Sequence, residues 1–418
     1  MRRRRVLFVM AGTAALLGGG QAALATTGVS LYVSASAGRA SSHVKVGPHF
    51  FPELTDTVAQ RQALNPPAPP QCPPTVANAL YTASQGTVYN CHLPEPPATG
   101  APVPGNMAYY GGRVQTKPHI YLVFFGWGEP GAFPSQDRCS PETLSEPGIP
   151  SVTLPCDPDG AGKRMADFVS QLGGTAWAGV QTQYYQVVDG KKRYIQNPTD
   201  QLAGIWVDDT DPTSAKITYT DMAKEAQRAA QHFGVSEAAL TDANFVIAQP
   251  ANFSDPLAVA DGYCAFHDYT EPGLEGGIYN GIEPGIVYTN MPYVLNQGAG
   301  CGQNLVNPGA AGRLDGVTIA LGHEIEESVT DPGAEDVLAS GQEIGGWYDV
   351  VDSGENGDKC AYVGDDLGLT NPSGLPVPGA ASNIKGNQGG LFPVQSLWSN
   401  AAAGGLGYCA GTSHSLPS

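Results

Sequence analysis

Positive charge is scarce in this sequence. Lysine and arginine together number 21 against 39 aspartates and glutamates, which gives a formal net charge of −18 at pH 7. The run Arg2 to Arg5 supplies four of the positive charges, so the rest of the chain is more acidic still. Because a strongly acidic surface repels phosphate backbones, we expect no nucleic-acid partner.

Long apolar runs are also absent after the N-terminus. No segment beyond residue 25 offers about 18 uninterrupted apolar residues, so we expect a soluble mature protein without a transmembrane segment. Residues 1–25 place the arginines before a short apolar run that ends in Ala23-Leu24-Ala25. This order is typical of a signal peptide cleaved after Ala25, and it predicts a secreted, extracellular protein. The export route, Sec or twin-arginine, stays open.

Several catalytic and cysteine motifs are missing. There is no G-x-S-x-G elbow for a serine hydrolase, no P-loop lysine for a nucleotide, and no C-x-x-C pair for zinc. Cysteines of an exported chain are oxidised, so we expect the eight cysteines to form disulfides. Neighbours in sequence predict four bridges, although sequence alone does not fix the connectivity. The expected pairs are Cys72–Cys91, Cys139–Cys156, Cys264–Cys301 and Cys360–Cys409.

The chain divides by composition into a Pro-rich arm, residues 26–115, and a folded domain, residues 116–412. Runs such as NPPAPPQCPP favour extended polyproline conformations, so the first part is an arm, a propeptide or a linker. The sequence of this domain predicts strands and helices in mixed α+β order. The expected strands are Ile120–Phe125, Asn244–Pro250 and Gly285–Asn290. The expected helices run from Lys163 to Leu172, from Thr220 or Asp221 to Gly234, and from Asp315 to Val329.

The last of these helices contains HEIEE, residues 323–327. His323 and Glu327 stand one turn apart, roughly 40° around the helix, as two ligands of one ion require. Glu324 flanks them and is the candidate general base for a water that attacks a carbonyl. The alternative is an amphipathic helix whose solvated face happens to spell HEIEE.

A third ligand is expected from the acidic segment WYDVVDSGENGDKC. Glu355 is the preferred ligand, and Asp358 shortly after it is the acid expected to support it. Asp331, just beyond the helix, is the rival, and Asp358 itself is a further alternative. The same segment predicts, as an alternative or an addition, a calcium loop formed by Asp349, Asp352 and Glu355. Zinc suits a ligand set of histidine and carboxylate, whereas manganese or another hard cation suits the more anionic version.

The order of segments resembles the exordium, or phosphate-induced, protein family. It is more similar still to bacterial exported relatives that carry H-E-x-x-E-A-x-T-D-P followed by E-x-G-D-x-C. The matching pieces are HIYLVFFGW, DGYCAFH, HEIEESVTDP and ENGDKC, and the resemblance covers about Pro118 to Cys409. Ser328 stands where the relatives have alanine, and the plant members lack the H-E-x-x-E ligands.

The resemblance implies a zincin-like mixed sheet with a metal-binding active-site helix, and an exported gluzincin-like metallopeptidase acting on peptides or proteins. It also implies a role for His267, the histidine of DGYCAFH, either as an oxyanion-stabilising catalytic group or as the missing metal ligand. The competing function is a non-catalytic cell-surface or cell-wall binding protein with a calcium-binding acidic loop. That alternative expects the HEIEE face to be open to solvent, whereas the enzyme expects it to line a cleft with Glu355.

Overall fold

The structure of the chain is a computed structural model. It describes residues 106–134, 139–209, 217–270, 285–332, 336–338, 345–349, 354–361, 382–405 and 407–411, together with the backbone of five short strands before residue 106. The predicted signal peptide, residues 1–25, lies outside the described residues. Among the described helices, none is long and apolar enough to cross a membrane.

Helices and strands follow one another in mixed order. The helices are α1 (Ala161–Leu172), α2 (Tyr219–His232), α3 (Glu237–Leu240), α4 (Pro256–Asp261), α5 (Asp315–Thr330) and α6 (Ala402–Gly405). The strands before α1 are β1 (Tyr32–Val33), β2 (His43–Lys45), β3 (Phe50–Pro52), β4 (Ala79–Thr82), β5 (Val88–Cys91), β6 (Ala108–Tyr109), β7 (His119–Phe125), β8 (Glu142–Leu144) and β9 (Val152–Leu154). The later strands are β10 (Tyr185–Val188), β11 (Lys191–Tyr194), β12 (Leu202–Asp208), β13 (Ala243–Ala248), β14 (Tyr263–Tyr269), β15 (Val287–Met291), β16 (Asp336–Leu338), β17 (Trp347–Tyr348), β18 (Ser382–Lys385), β19 (Leu391–Val394), β20 (Leu397–Ser399) and β21 (Tyr408–Ala410).

The largest sheet has six strands in the order β12-β7-β13-β15-β14-β3. Strands β12, β7, β13 and β15 run parallel, whereas β14 is antiparallel to both of its neighbours, β15 and β3. The expectation of a mixed α+β domain with a mixed sheet is therefore confirmed.

Strand β7 shows why the run HIYLVFF forms the middle of this sheet. Ile120, Leu122 and Phe124 belong to the core cluster that includes residues of α1 and α5. Val123 and Phe125 belong to the cluster that includes residues of α2. Successive side chains of a strand point to opposite faces, so a strand covered on both faces must be apolar at every position.

Two predicted helices form, but α2 ends at His232 rather than at Gly234, and its start is also corrected. Helix α1 includes the whole predicted segment from Lys163 to Leu172. Helix α2, however, is capped by Thr218 rather than by Thr220 or Asp221. The Asp221 amide donates to the Thr218 hydroxyl, and the Thr218 amide donates to the Asp221 carboxylate at 2.9 Å. This reciprocal capping box satisfies two amides at once, which explains why it prevails over a cap two or three residues later.

Residues 106–115, at the end of the predicted arm, are part of the folded body. Strand β6 pairs with β17. Met107 and Val114 are buried in a third core cluster with Val329 and Trp347. The Gln115 amide donates to the carbonyl of Val329 at 2.9 Å, next to the end of α5. The chain just before β7 therefore supports the end of the helix that carries HEIEE.

Three of the four expected disulfides are present. They join Cys139 to Cys156, Cys264 to Cys301, and Cys360 to Cys409. The fourth expected bridge, between Cys72 and Cys91, involves side chains outside the described residues. The expectation of a disulfide-stapled domain is therefore confirmed for the three described pairs.

An ionic group that is separate from HEIEE connects β12 to α2. The Nε of Arg228 donates to Asp208 Oδ2 at 3.2 Å, and its Nη2 contacts Glu225. Both carboxyl groups are fully buried against this one guanidinium. Burial raises the pKa of Glu225 to about 9, and the neighbouring Asp208 adds to the rise while Arg228 opposes it. Glu225 is therefore protonated at neutral pH.

We expect Glu225→Gln to keep the fold and to raise stability at alkaline pH. The pKa of Glu225, about 9, lies above its ordinary value of 4.5. The stabilisation that Glu225 contributes to the folded protein is therefore complete below pH 4.5 and is lost as the pH rises through 9. A glutamine amide imitates the protonated acid at every pH. The difference in thermal midpoint between variant and parent, measured by circular dichroism, should therefore grow with pH.

The matched control for this measurement is Glu237→Gln, because Glu237 is exposed at the start of α3. The control should show no comparable growth across the same pH range. A difference between Glu225→Gln and the parent that stays constant with pH would contradict the assignment of the proton to Glu225.

Candidate metal centre

Helix α5 carries HEIEE and is buried along its whole length, from Asp315 to Thr330. It packs against α1, β14, β15 and β19. Val317, Leu321, Ile325 and Val329 face the core as predicted. The alternative of a solvated HEIEE face is wrong, because His323, Glu324 and Glu327 are each 0% exposed.

Local interactions explain where α5 begins and where it ends. The Asp315 carboxylate lies in the first turn and accepts hydrogen bonds from the amides of Val306 and Asn307 at 2.9 and 2.7 Å. A negative charge is favourable there because helix N-termini are electropositive. At the other end, Pro332 cannot continue a helix, and α5 stops at Thr330, one residue beyond the predicted end.

The first of two groups of possible metal ligands contains His323, Glu327 and Asp358, and we call it the His323 group. His323 Nε2 lies 3.0 Å from Glu327 Oε1 and 3.5 Å from Asp358 Oδ1. The amide of Asp358 donates to the same Glu327 oxygen at 2.8 Å. The one-turn spacing of His323 and Glu327 thus brings their side chains together as predicted, and Asp358 joins them from a separate segment.

The second group contains His267, Glu324 and Glu327, and we call it the His267 group. His267 Nδ1 lies 3.2 Å from Glu324 Oε2 and 3.7 Å from Glu327 Oε2. The Nε2–H of His267 donates to the carbonyl of Asp331 at 3.0 Å. That bond fixes the ring and leaves Nδ1 directed at the two carboxylates. Glu327 is common to both groups, with one oxygen in each.

Glu355, the preferred third ligand, lies beside His267. Its Oε1 is 3.5 Å from His267 Nε2, and it belongs to neither ligand group. The side chain is fully buried, and neither oxygen has a hydrogen-bond partner among the described residues. Asp358, one of the alternatives, takes the place beside His323 that was expected for Glu355.

The remaining acidic candidates have other partners. Asp331 Oδ1 accepts from the amide of Gly346 at 2.8 Å. Asp349 pairs with Lys359 at 2.7 Å, and Asp352 lies outside the described residues. Within the described part of the chain, no group of possible metal ligands contains Asp349. The calcium loop expected from Asp349, Asp352 and Glu355 therefore stays a prediction without support from these contacts.

Gly357 is the glycine of the E-x-G-D-x-C segment, and its close approach to the ligands was not predicted from the sequence. A Cβ at this position would lie 2.7 Å from Glu327 Oε1 and 2.9 Å from His323 Nδ1. The backbone must approach this closely so that the next residue, Asp358, can donate its amide to Glu327. The signal in the sequence was the glycine of ENGD, directly before Asp358 in the E-x-G-D-x-C segment.

The two groups and their neighbours bury more negative than positive charge. Burial raises the pKa of Glu324 to about 7 and that of Glu355 well above its ordinary value. Burial opposes protonation of His267, but its bond to Glu324 prevails and raises its pKa to about 9. The charge of Glu327 likewise outweighs burial and raises the pKa of His323. The raised pKa values favour protons on the imidazoles and on some of the carboxyl groups, and a divalent cation could take the place of these protons.

Comparisons of the chain with protein-family models, curated proteins and solved structures found no match. The resemblance to the exordium family therefore stays an expectation, and we infer the function from the geometry of the two groups. Buried histidine and carboxylate groups that could hold a metal ion are present.

We expect divalent metal to stabilise the protein through Glu327. After chelator treatment, adding zinc to about 100-fold above its dissociation constant should contribute roughly 2.7 kcal/mol, a rise in thermal midpoint of about 5 °C. Glu327→Gln removes a ligand from both groups and should abolish the rise. The exposed control Glu237→Gln should retain it, and an equal rise in Glu327→Gln would mean that the ion binds elsewhere.

Proposed function

We propose that this chain is a secreted metal-dependent hydrolase that cleaves peptide bonds. The proposal is supported by the position of Glu324, which belongs to the His267 group and therefore lies next to the His323 group through the shared Glu327. Glu324 Oε2 is held by His267 Nδ1, whereas Glu324 Oε1 has no hydrogen-bond partner among the described residues. A buried carboxylate with one oxygen fixed and the other available is arranged as a general base.

The metal would be held by His323, Glu327 and Asp358. Three protein ligands leave coordination positions open for water and substrate, as in catalytic zinc sites. Nitrogen and carboxylate ligands favour zinc, because calcium takes oxygen ligands and His323 offers a nitrogen. The donor set therefore fits zinc better than the calcium alternative. When bound, zinc supplies Lewis acidity that polarises a carbonyl and lowers the pKa of water.

The residues around the metal position then have distinct roles. Glu324 takes the proton from the attacking water and returns it to the leaving amine. His267 holds Glu324 in place and is itself fixed by the carbonyl of Asp331. Asp358 is the only partly exposed member of the two groups, with 18% of its side chain accessible, so water and substrate enter beside it.

The resemblance to exported relatives of the exordium family and the zincin-like assignment are part of the same proposal. A mixed sheet with an antiparallel strand beside the HEIEE helix supports the zincin-like assignment. The non-catalytic binding protein has weaker support, because that alternative expects HEIEE to face solvent. Association with a cell wall remains an expectation from the sequence.

We expect Glu324→Gln to lose peptide hydrolysis while keeping the metal. Loss of a general base lowers turnover by about 100-fold or more, and Glu324 is not a ligand in the His323 group. Turnover should be measured on an unstructured peptide pool, with metal content determined for the same sample. The matched control is Glu326→Gln, a neighbouring buried glutamate outside both groups, which should keep turnover. Unchanged turnover in Glu324→Gln would rule out the mechanism.

A further inference from the structure

The peptide unit between Gly357 and Asp358 connects the His323 group to the body of the protein. Its N–H is the Asp358 amide, which donates to Glu327 Oε1 at 2.8 Å. Its carbonyl accepts at 2.7 Å from Nε2 of Gln395, whose side chain is fully buried. A peptide unit is planar and, in its usual trans form, directs its carbonyl and its amide in opposite directions. The hydrogen bond from Gln395 therefore also fixes the direction of the amide that reaches Glu327.

Gln395 is itself fixed relative to α5. It lies between β19 and β20, and β19 packs against α5. The main-chain carbonyl of Gln395 accepts from the indole Nε1–H of Trp177 at 2.7 Å, and Trp177 is buried in the core. Two residues earlier, the carbonyl of Pro393 accepts from the hydroxyl of Thr318, a residue of α5, at 2.6 Å. Gln395 is thus held beside the helix that carries HEIEE.

The neighbouring hydrogen bonds of this loop act at other points. The Gly357 carbonyl also accepts from the amide of Cys360 at 2.9 Å, a bond that closes the turn within the loop. Asn356, the residue before Gly357, donates through its Nδ2 to the carbonyl of Glu326 at 3.2 Å. Gln395 acts one residue later, on the peptide unit that carries the Asp358 amide. Because Cys360 keeps the Gly357 carbonyl paired, replacing Gln395 should loosen this peptide unit without unfolding the turn.

We propose that Gln395 is a positioning residue of the metal centre, which fixes the Gly357–Asp358 peptide so that the Asp358 carboxylate lies beside His323. The role of Asp358 as a metal ligand rests on the proposed function, whereas the hold of Gln395 on the peptide does not. Residues that orient metal ligands without touching the metal typically contribute about 10- to 100-fold in affinity. Gln395 does so through the backbone next to the ligand.

The test replaces Gln395 by methionine, whose side chain fills a similar volume without an amide. Zinc affinity, measured by competition with a chelator, should fall about ten-fold or more in Gln395→Met. The matched control is Gln115→Met, because Gln115 is also fully buried and its Nε2 donates to the carbonyl of Ala243 at 3.2 Å. The control should bind zinc like the parent. An equal loss of affinity in both variants, or no loss in Gln395→Met, would overturn the proposal.

A double substitution shows whether the effect passes through Asp358. When the Asp358 carboxylate is already absent, Gln395→Met has no such ligand left to misplace. Adding Gln395→Met to Asp358→Ala should therefore weaken zinc binding by about three-fold or less. A further loss as large as the loss in the parent would mean that Gln395 acts on the whole site rather than on Asp358, and it would contradict the proposal.

A second variant and a metal-free readout decide the question if Gln395→Met fails to fold. Gln395→Asn keeps an amide in the core but is one methylene shorter, so it should not reach the Gly357 carbonyl. Hydrogen exchange of the Asp358 amide, followed by NMR without metal, should be about ten-fold faster in Gln395→Asn than in the parent, because the bond to Glu327 opens more often. Unchanged exchange in this variant would overturn the proposal.

The two proposals fail in different ways. If the parent holds no metal, the hydrolase proposal fails, while exchange of the Asp358 amide still decides whether Gln395 fixes its peptide unit. If the parent binds zinc and the Gln395 variants bind it equally well, the metal centre stands and the positioning role of Gln395 is overturned.

Discussion

The burial of several carboxylates around two imidazoles is the constraint on which the rest of this structure depends. Desolvating a single carboxylate is costly unless it is paired, and Glu324, Glu327 and Glu355 are all fully buried. Two imidazoles cannot balance this charge unless both are protonated or some of the acids are neutral. A divalent cation resolves the imbalance with fewer protons, because it attracts the carboxylates that otherwise repel one another.

The fold assembles this cluster from three separate stretches of chain. Strand β14 supplies His267, α5 supplies HEIEE, and the segment Glu355–Asp358 supplies the remaining acids. Disulfides lie close to two of these stretches: Cys264 is three residues before His267, and Cys360 is two residues after Asp358. Each bridge limits the freedom of its stretch in the unfolded chain. The two bridges therefore help to hold the buried pairs His323–Glu327 and His267–Glu324 at distances near 3 Å.

The sequence correctly predicted those features of the structure that depend only on the local geometry of a strand or a helix. The apolar run of β7 and the spacing of His323 and Glu327 depend only on strand and helix geometry, and both formed as expected. The choice of Asp358 over Glu355 beside His323 depends on how a loop with Gly357 folds back onto α5. Tertiary contacts decide which of these two acids lies beside His323, and such contacts cannot be predicted from residue spacing. The burial of HEIEE could likewise not be predicted from the sequence, because a glutamate-rich helix face is ordinarily solvated.

The most direct measurement is elemental analysis of the purified mature protein after dialysis against a weak chelator. We expect about one equivalent of zinc or more in the parent and in Glu326→Gln, with loss in both His323→Ala and Glu327→Ala. Calcium as the sole metal, or metal retained in both ligand variants, would contradict the claim that the buried cluster is a metal centre.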